Sequence, residues 1–157
     1  MKTFTTLAIA ASFSVVLSST PSLAASSGGY DQTPSTASAV IKKVNKSLSN
    51  GDYAKAYAML TKEVKSSPKN ADIHNLLGFS ARKMGQYDAS EAHYTRALEL
   101  NPKHKGALEY MGELYLTLNQ LDKAEALQVR LDDVCWLGCD ELDQLNAAIA
   151  DWKSKNG

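Results

Sequence analysis

The chain has 157 residues, with 17 Lys and Arg against 17 Asp and Glu, so its formal charge is zero. That balance argues against nucleic-acid binding through a global positive field, and a 44% hydrophobic content rules out wholesale disorder while leaving room for one domain and a short appendage. Two cysteines are too few for a four-cysteine zinc site or a dense disulfide scaffold.

Lys2 is the only charge before Asp31, and it precedes the uncharged run from Leu7 to Leu17. Thr20-Pro21 breaks that run, and Ser22-Leu23-Ala24 places small residues where a signal peptidase cuts. The pattern predicts a cleavable signal peptide over residues 1–24, and so a periplasmic or secreted protein. The apolar run is shorter than the roughly 20 residues of a spanning helix and is diluted by Ser and Thr, so no integral membrane segment is expected after cleavage. Residues 25–36 are rich in Gly, Ser, Thr and Pro, a composition that cannot bury itself, and read as a flexible leader.

Beyond the leader the chain repeats itself. Leu77-Gly78, Gly85-x-Tyr87, Ser90, Tyr94, Ala97 and Pro102 return in outline as Met111-Gly112, Asn119-x-Leu121, Ala124 and Leu131, while Gly51-x-Tyr53, Ala56, Leu60 and Pro68 stand one period earlier. The period is 34, and the three blocks 37–70, 71–104 and 105–138 tile without gaps. Small residues at Gly78, Gly112, Ser90 and Ala124 let paired helices approach closely, with Tyr87 and Tyr94 filling the space around them. Gly51 and Gly85 suit a turn that needs φ > 0, and Pro68 and Pro102 stop the second helix of each pair. Block one carries Val44 where the others have glycine, which predicts a looser contact there.

These residues and their spacing resemble the tetratricopeptide repeat (TPR) family. The resemblance implies an all-α right-handed superhelix of three helix-turn-helix repeats over residues 37–138. Residues 139–157 then supply the end cap: Asp140 to Trp152 predicts a seventh helix, with Asp140 as its N-cap and Leu142, Leu145, Ile149 and Trp152 on one face. It also implies a concave groove lined by the first helix of each repeat. The groove positions here are Ile41 and Asn45, then Asn75, Phe79, Arg82 and Lys83, then Glu109, Glu113 and Leu116. Asn45 and Asn75 offer hydrogen bonds to a peptide backbone, Phe79 and Leu116 offer apolar seats, and Arg82 faces an acidic group. In the carboxylate clamp of chaperone-binding members, Asn45 matches one position while Ile41, Leu76, Gly106 and Tyr110 replace the rest, so that function is not expected.

Cys135-Trp136-Leu137-Gly138-Cys139 stands between the third repeat and the cap. In an exported protein the expected state is an intrachain disulfide. A thioredoxin-like centre would want two intervening residues and a βαβ fold, a c-type haem site would want His where Asp140 stands, and a metal would want more ligands. No nucleophile, phosphate-binding or metalloprotease motif is present, and the histidines give no metal spacing: His74 occupies a packing position, His93 reads as an outward residue and His104 lies at a block edge. The sequence therefore predicts an exported adaptor without enzymatic activity, metal or cofactor, whose partner is a protein or peptide and not a nucleic acid. One alternative is an envelope redox or metal-handling protein centred on Cys135 and Cys139. Another is an architectural subunit that self-associates through its repeat ends.

Overall fold

The computed structural model describes residues 36–156. The expected signal peptide and residues 25–35 of the expected leader lie outside the described residues. Thr36, the last leader position, opens the first helix instead.

Seven helices follow one another: α1 (Thr36–Ser49), α2 (Tyr53–Ser66), α3 (Ala71–Lys83), α4 (Tyr87–Leu100), α5 (Lys105–Thr117), α6 (Leu121–Val134) and α7 (Asp140–Asn156). There is no strand among the described residues. The repeat period is visible in the backbone. Gly51, Gly85 and Asn119, 34 residues apart, turn the chain between the helices of each pair with φ of 78°, 74° and 57°. Asn tolerates this left-handed region better than other residues bearing a Cβ, which explains how the third repeat manages without glycine. At the other junctions side chains cap the incoming helix. Asn70 Oδ1 accepts from the Ile73 amide at 3.2 Å, and His104 Nδ1 accepts from the Ala107 amide at 3.1 Å. His104 Nε2 then donates to Asp72 at 3.0 Å, tying the start of α5 to the first turn of α3.

The two glycines at the same repeat offset, Gly78 and Gly112, do different work. A Cβ at Gly78 would lie 2.6 Å from the Tyr94 ring, so α3 and α4 meet within one repeat through this contact. Ser90 Oγ adds a 2.8 Å hydrogen bond to the Gly78 carbonyl. Gly112 was expected to serve α6 in the same way, but a Cβ there would lie 2.6 Å from Leu145 of the cap. The third repeat therefore spends its close approach on α7. In block one Val44 is fully buried with Ala56, Leu60, Ile73 and Leu77, forming the smaller apolar cluster, while the larger one runs from Tyr94 to Ile149.

The cap buries Leu142, Leu145 and Ile149 and keeps Asp143, Gln144, Asn146 and Asp151 exposed. Cys139 precedes its first residue, so Asp140 sits inside the first turn with Glu141 and Asp143 and not at the N-cap. Three carboxylates there complement the positive end of the helix dipole. Cys135 and Cys139 are joined by a disulfide, with Cα atoms 5.6 Å apart and Cys135 buried. By loop entropy a five-residue ring contributes about 2 kcal/mol. Urea unfolding with and without reductant should show a loss of about that size, together with weaker hydrogen-exchange protection in α7 than in α3 and α4. Equal protection across the three helices after reduction would show that the bridge does not anchor the cap.

Candidate functional site

The first helices of the repeats bring most of the groove positions together, around an aromatic row. The Phe79 ring of α3 lies 6.2 Å from Tyr53 at the start of α2 and 4.9 Å from Tyr110 of α5. The Arg82 guanidinium stands 5.7 Å from the Phe79 ring and 5.9 Å from Tyr110, and Lys83 Nζ stands 5.4 Å from Phe79. Arg82 also forms an ion pair with Glu113. The cation that the sequence offered to an acidic ligand is thus already engaged across the α3–α5 junction. Lys83 remains exposed.

Beneath this row two polar residues are buried. Asn75 is 7% exposed and Glu109 only 2%, and neither Asn75 Oδ1 nor Glu109 Oε1 has a hydrogen-bond partner. Burial pushes the Glu109 carboxyl up to about 7, with Glu113 and Glu141 adding repulsion and Arg82 opposing them. Leu116 is 7% exposed and belongs to the main core, so it contributes an edge and not an open seat. On α1, Ile41 is half-buried against the smaller cluster and Asn45 is exposed.

Arg82, Lys83, Glu113 and Leu116 line a recess of about 400 Å³ whose far wall is α7, through Ala148, Asp151, Trp152 and Lys155. The cap therefore does more than close the core. Its residues were not among the sequence-predicted groove positions, because the repeat pattern ends before α7 begins. Tyr110 was noted only as a replacement for a clamp residue, although Tyr53, Phe79 and Tyr110 recur at turn and first-helix positions that face one another.

A second polar cluster joins α2, α3 and α4. His93, expected to point outward, is half-buried, its Nδ1 3.4 Å from His74 Nδ1 and its Nε2 3.4 Å from the Tyr57 hydroxyl. His74 Nε2 lies 3.1 Å from the Pro68 carbonyl, which can only accept. The protons follow in order: Tyr57 donates to His93 Nε2, His93 Nδ1 to His74 Nδ1, and His74 Nε2 to Pro68. Burial, and then the neighbouring His74, lower the His93 pKa, favouring the neutral ring this chain of bonds requires. No group of three or more His, Cys, Asp or Glu side chains suited to a metal occurs among the described residues.

Residues 71–104 match the tetratricopeptide repeat family model, and residues 93–126 match a second model of the same description. Residues 71–126 thus carry the tetratricopeptide repeat pattern. The chain is 28% identical over 89 residues to tetratricopeptide repeat protein 37 of Xenopus laevis, a stretch covering 57% of this chain but 6% of that protein. Among solved structures, the first TPR of Spaghetti (RPAP3) bound to the HSP90 peptide SRMEEVD superposes with a TM-score of 0.64 at 19% identity, covering 74% of this chain and 91% of that one. PcrH in complex with the chaperone binding region of PopD gives 0.68 at 14% identity, with 78% and 94% covered. At these identities the likeness is one of fold. The TPR helices here present an aromatic row with an internal Arg82–Glu113 pair, which is chemically unlike a set of lysines and asparagines held ready for a carboxylate. No helix among the described residues is long and apolar enough to cross a membrane.

Proposed function

We propose that the chain is an exported, non-catalytic TPR adaptor whose groove holds a segment of a protein partner. The observation that carries this reading is the recess between α3, α5 and α7. It combines the Arg82–Glu113 ion pair, the Trp152 side chain of the cap and the exposed Lys83 at the place where the repeat resemblance sets the groove. Mixed linings of this kind suit a peptide, whose backbone needs polar partners and whose side chains need apolar ones. The occupants named for two similar folds, an HSP90 peptide and the chaperone binding region of PopD, are protein segments as well. Export rests on the pattern of residues 1–24, and a mature N-terminus at Ala25 in an envelope fraction, read by mass spectrometry, tests it.

The groove is tested in cells with a photo-crosslinking amino acid at Lys83 or Thr117, both exposed, and at Lys62 on α2 as the control. Discrete adducts at the first two positions and none at Lys62 are expected. Lys83→Glu should reduce the Thr117 adduct several-fold. Equal yields at all three positions, or none anywhere, would overturn the groove assignment.

A further inference from the structure

A second recess, also about 400 Å³, lies between α4, α5 and α6. Leu98, Met111 and Leu127 give it an apolar lining, and the exposed Lys123 and Arg130 stand at its edge. Lys123 lies over the Tyr115 ring and Arg130 donates to the Pro102 carbonyl, but neither has a carboxylate partner among the described residues. Just past the end of α6, the disulfide loop holds out Trp136 and Leu137, 81% and 80% exposed. Exposed, unpaired Asp133 and Asp140 flank that loop. Val129, next to Arg130 on α6, is 63% exposed.

We propose that this surface is a homodimer interface. In it, α6 of two copies run antiparallel, and Trp136 with Leu137 of each copy enters the α4–α6 recess of the other. Lys123, Ala126, Arg130 and Asp133 are spaced three and four apart and share one face of α6. The other faces are taken: Ala124, Leu127 and Leu131 enter the core, while Glu125 pairs with Lys153 and Gln128 with Asn146 of α7. Among these four residues the basic Lys123 and Arg130 come first and the acidic Asp133 last, with exposed Asp122 just ahead of them. Such a stripe is complementary to its own reverse, which is the condition for an isologous two-fold contact. The register that sets Trp136 over Leu127 of the other copy also sets Arg130 opposite Asp133, in both directions, and leaves Val129 near the two-fold axis.

Buried area favours the same occupant. One buried Trp covers roughly 150–250 Å², so a single loop in a single recess falls well below the roughly 1,200 Å² of a stable interface. The two-fold doubles the loop contact and adds the α6 stripe. The five-residue ring fixes the loop before contact, which reduces the ordering cost of binding, and Trp is the residue type that most often dominates an interface. Carboxylates beside Trp136 disfavour an anionic lipid surface as the alternative. The groove lies on α3, α5 and α7, so the dimer would carry two accessible grooves and gain avidity for a bivalent partner. The dimer stands independently of the groove assignment.

Sedimentation velocity of the purified chain should show a reversible monomer–dimer equilibrium with a Kd of about 1–100 μM, the weak end expected for an interface of modest size. Trp136→Ser, at an exposed position, should weaken association at least about 10-fold with unchanged thermal unfolding of the monomer. The decisive arm uses charge reversal. Arg130→Glu and Asp133→Lys should each weaken self-association, because both copies of the contact become repulsive. Mixing the two variants should restore a dimer, because both copies then become attractive. A wild-type chain that stays monomeric throughout, a Trp136→Ser variant that dimerises as tightly as wild type, or a mixture no tighter than either variant alone would each overturn the proposal.

Discussion

Replacing Tyr94 by Ala is expected to lower the unfolding free energy by about 3–5 kcal/mol, the range for deleting a buried aromatic ring. Stabilities of single domains total only about 5–15 kcal/mol, so the variant loses about a fifth or more of the fold's margin. Tyr94 is fully buried at the meeting of α3 and α4, where Gly78 leaves its ring the space a Cβ would occupy. The ring and the hydroxyl can be separated. The Tyr94 hydroxyl is buried without a hydrogen-bond partner, so Tyr94→Phe should cost less than about 1 kcal/mol or nothing. Gly78→Ala drives a methyl into the ring and should cost about 1–3 kcal/mol by overpacking. In the double variant the methyl meets empty space, so its penalty should largely vanish on a Tyr94→Ala background. Additive losses in urea titrations would show that Gly78 is present for backbone conformation and not for this contact.

The same pair shows why the fold was legible in the sequence while the site was only partly so. A repeat of 34 residues constrains glycine, proline and small side chains at fixed offsets, and each offset reports a local event: a turn, a stop or a close approach. Local events survive translation into three dimensions. Gly51 and Gly85 therefore sit at positive φ as their spacing implies, and Asn119 fills the same role in the third repeat. Gly112 shows the limit. Its offset predicts a close approach but cannot say which helix comes nearest, and here the nearest side chain is Leu145 of α7.

The groove failed to be legible in a different way. Side-chain offsets place Arg82 and Glu113 on neighbouring first helices, but only the packing of α3 on α5 shows that they satisfy each other. Glu109 carries no mark in the sequence of being 98% removed from solvent, since glutamate at a helix position reads as exposed on composition alone. His93 was misplaced for a related reason. Its real partners, Tyr57 and His74, belong to two other helices. The wall contributed by α7 lies outside the repeat, so no periodic signal could include Asp151, Trp152 or Lys155 in the recess.

Glu109 gives the second large effect, and its direction follows from linkage. Its pKa rises from an ordinary 4.5 to about 7 in the folded chain. Between those values the native state keeps a proton that the unfolded state has released, so the contribution to stability is complete below about pH 4.5 and is lost as pH climbs through 7. The loss reaches at most about 3 kcal/mol, from 1.36 kcal/mol per pK unit. Glu109→Gln removes the titrating group while keeping its shape. It should leave unfolding nearly unchanged at pH 5 and raise the midpoint by several degrees at pH 8. His93 works in the opposite sense. Its lowered pKa means that the unfolded chain binds the extra proton, so stability falls as pH drops below about 6.5, and Glu109→Gln should not alter that acid limb. Thermal unfolding of wild type and Glu109→Gln from pH 5 to pH 8 therefore separates the two groups. A difference between the chains that stays constant across the range would show that Glu109 is ionised throughout, with Arg82 compensating its charge despite the pairing with Glu113.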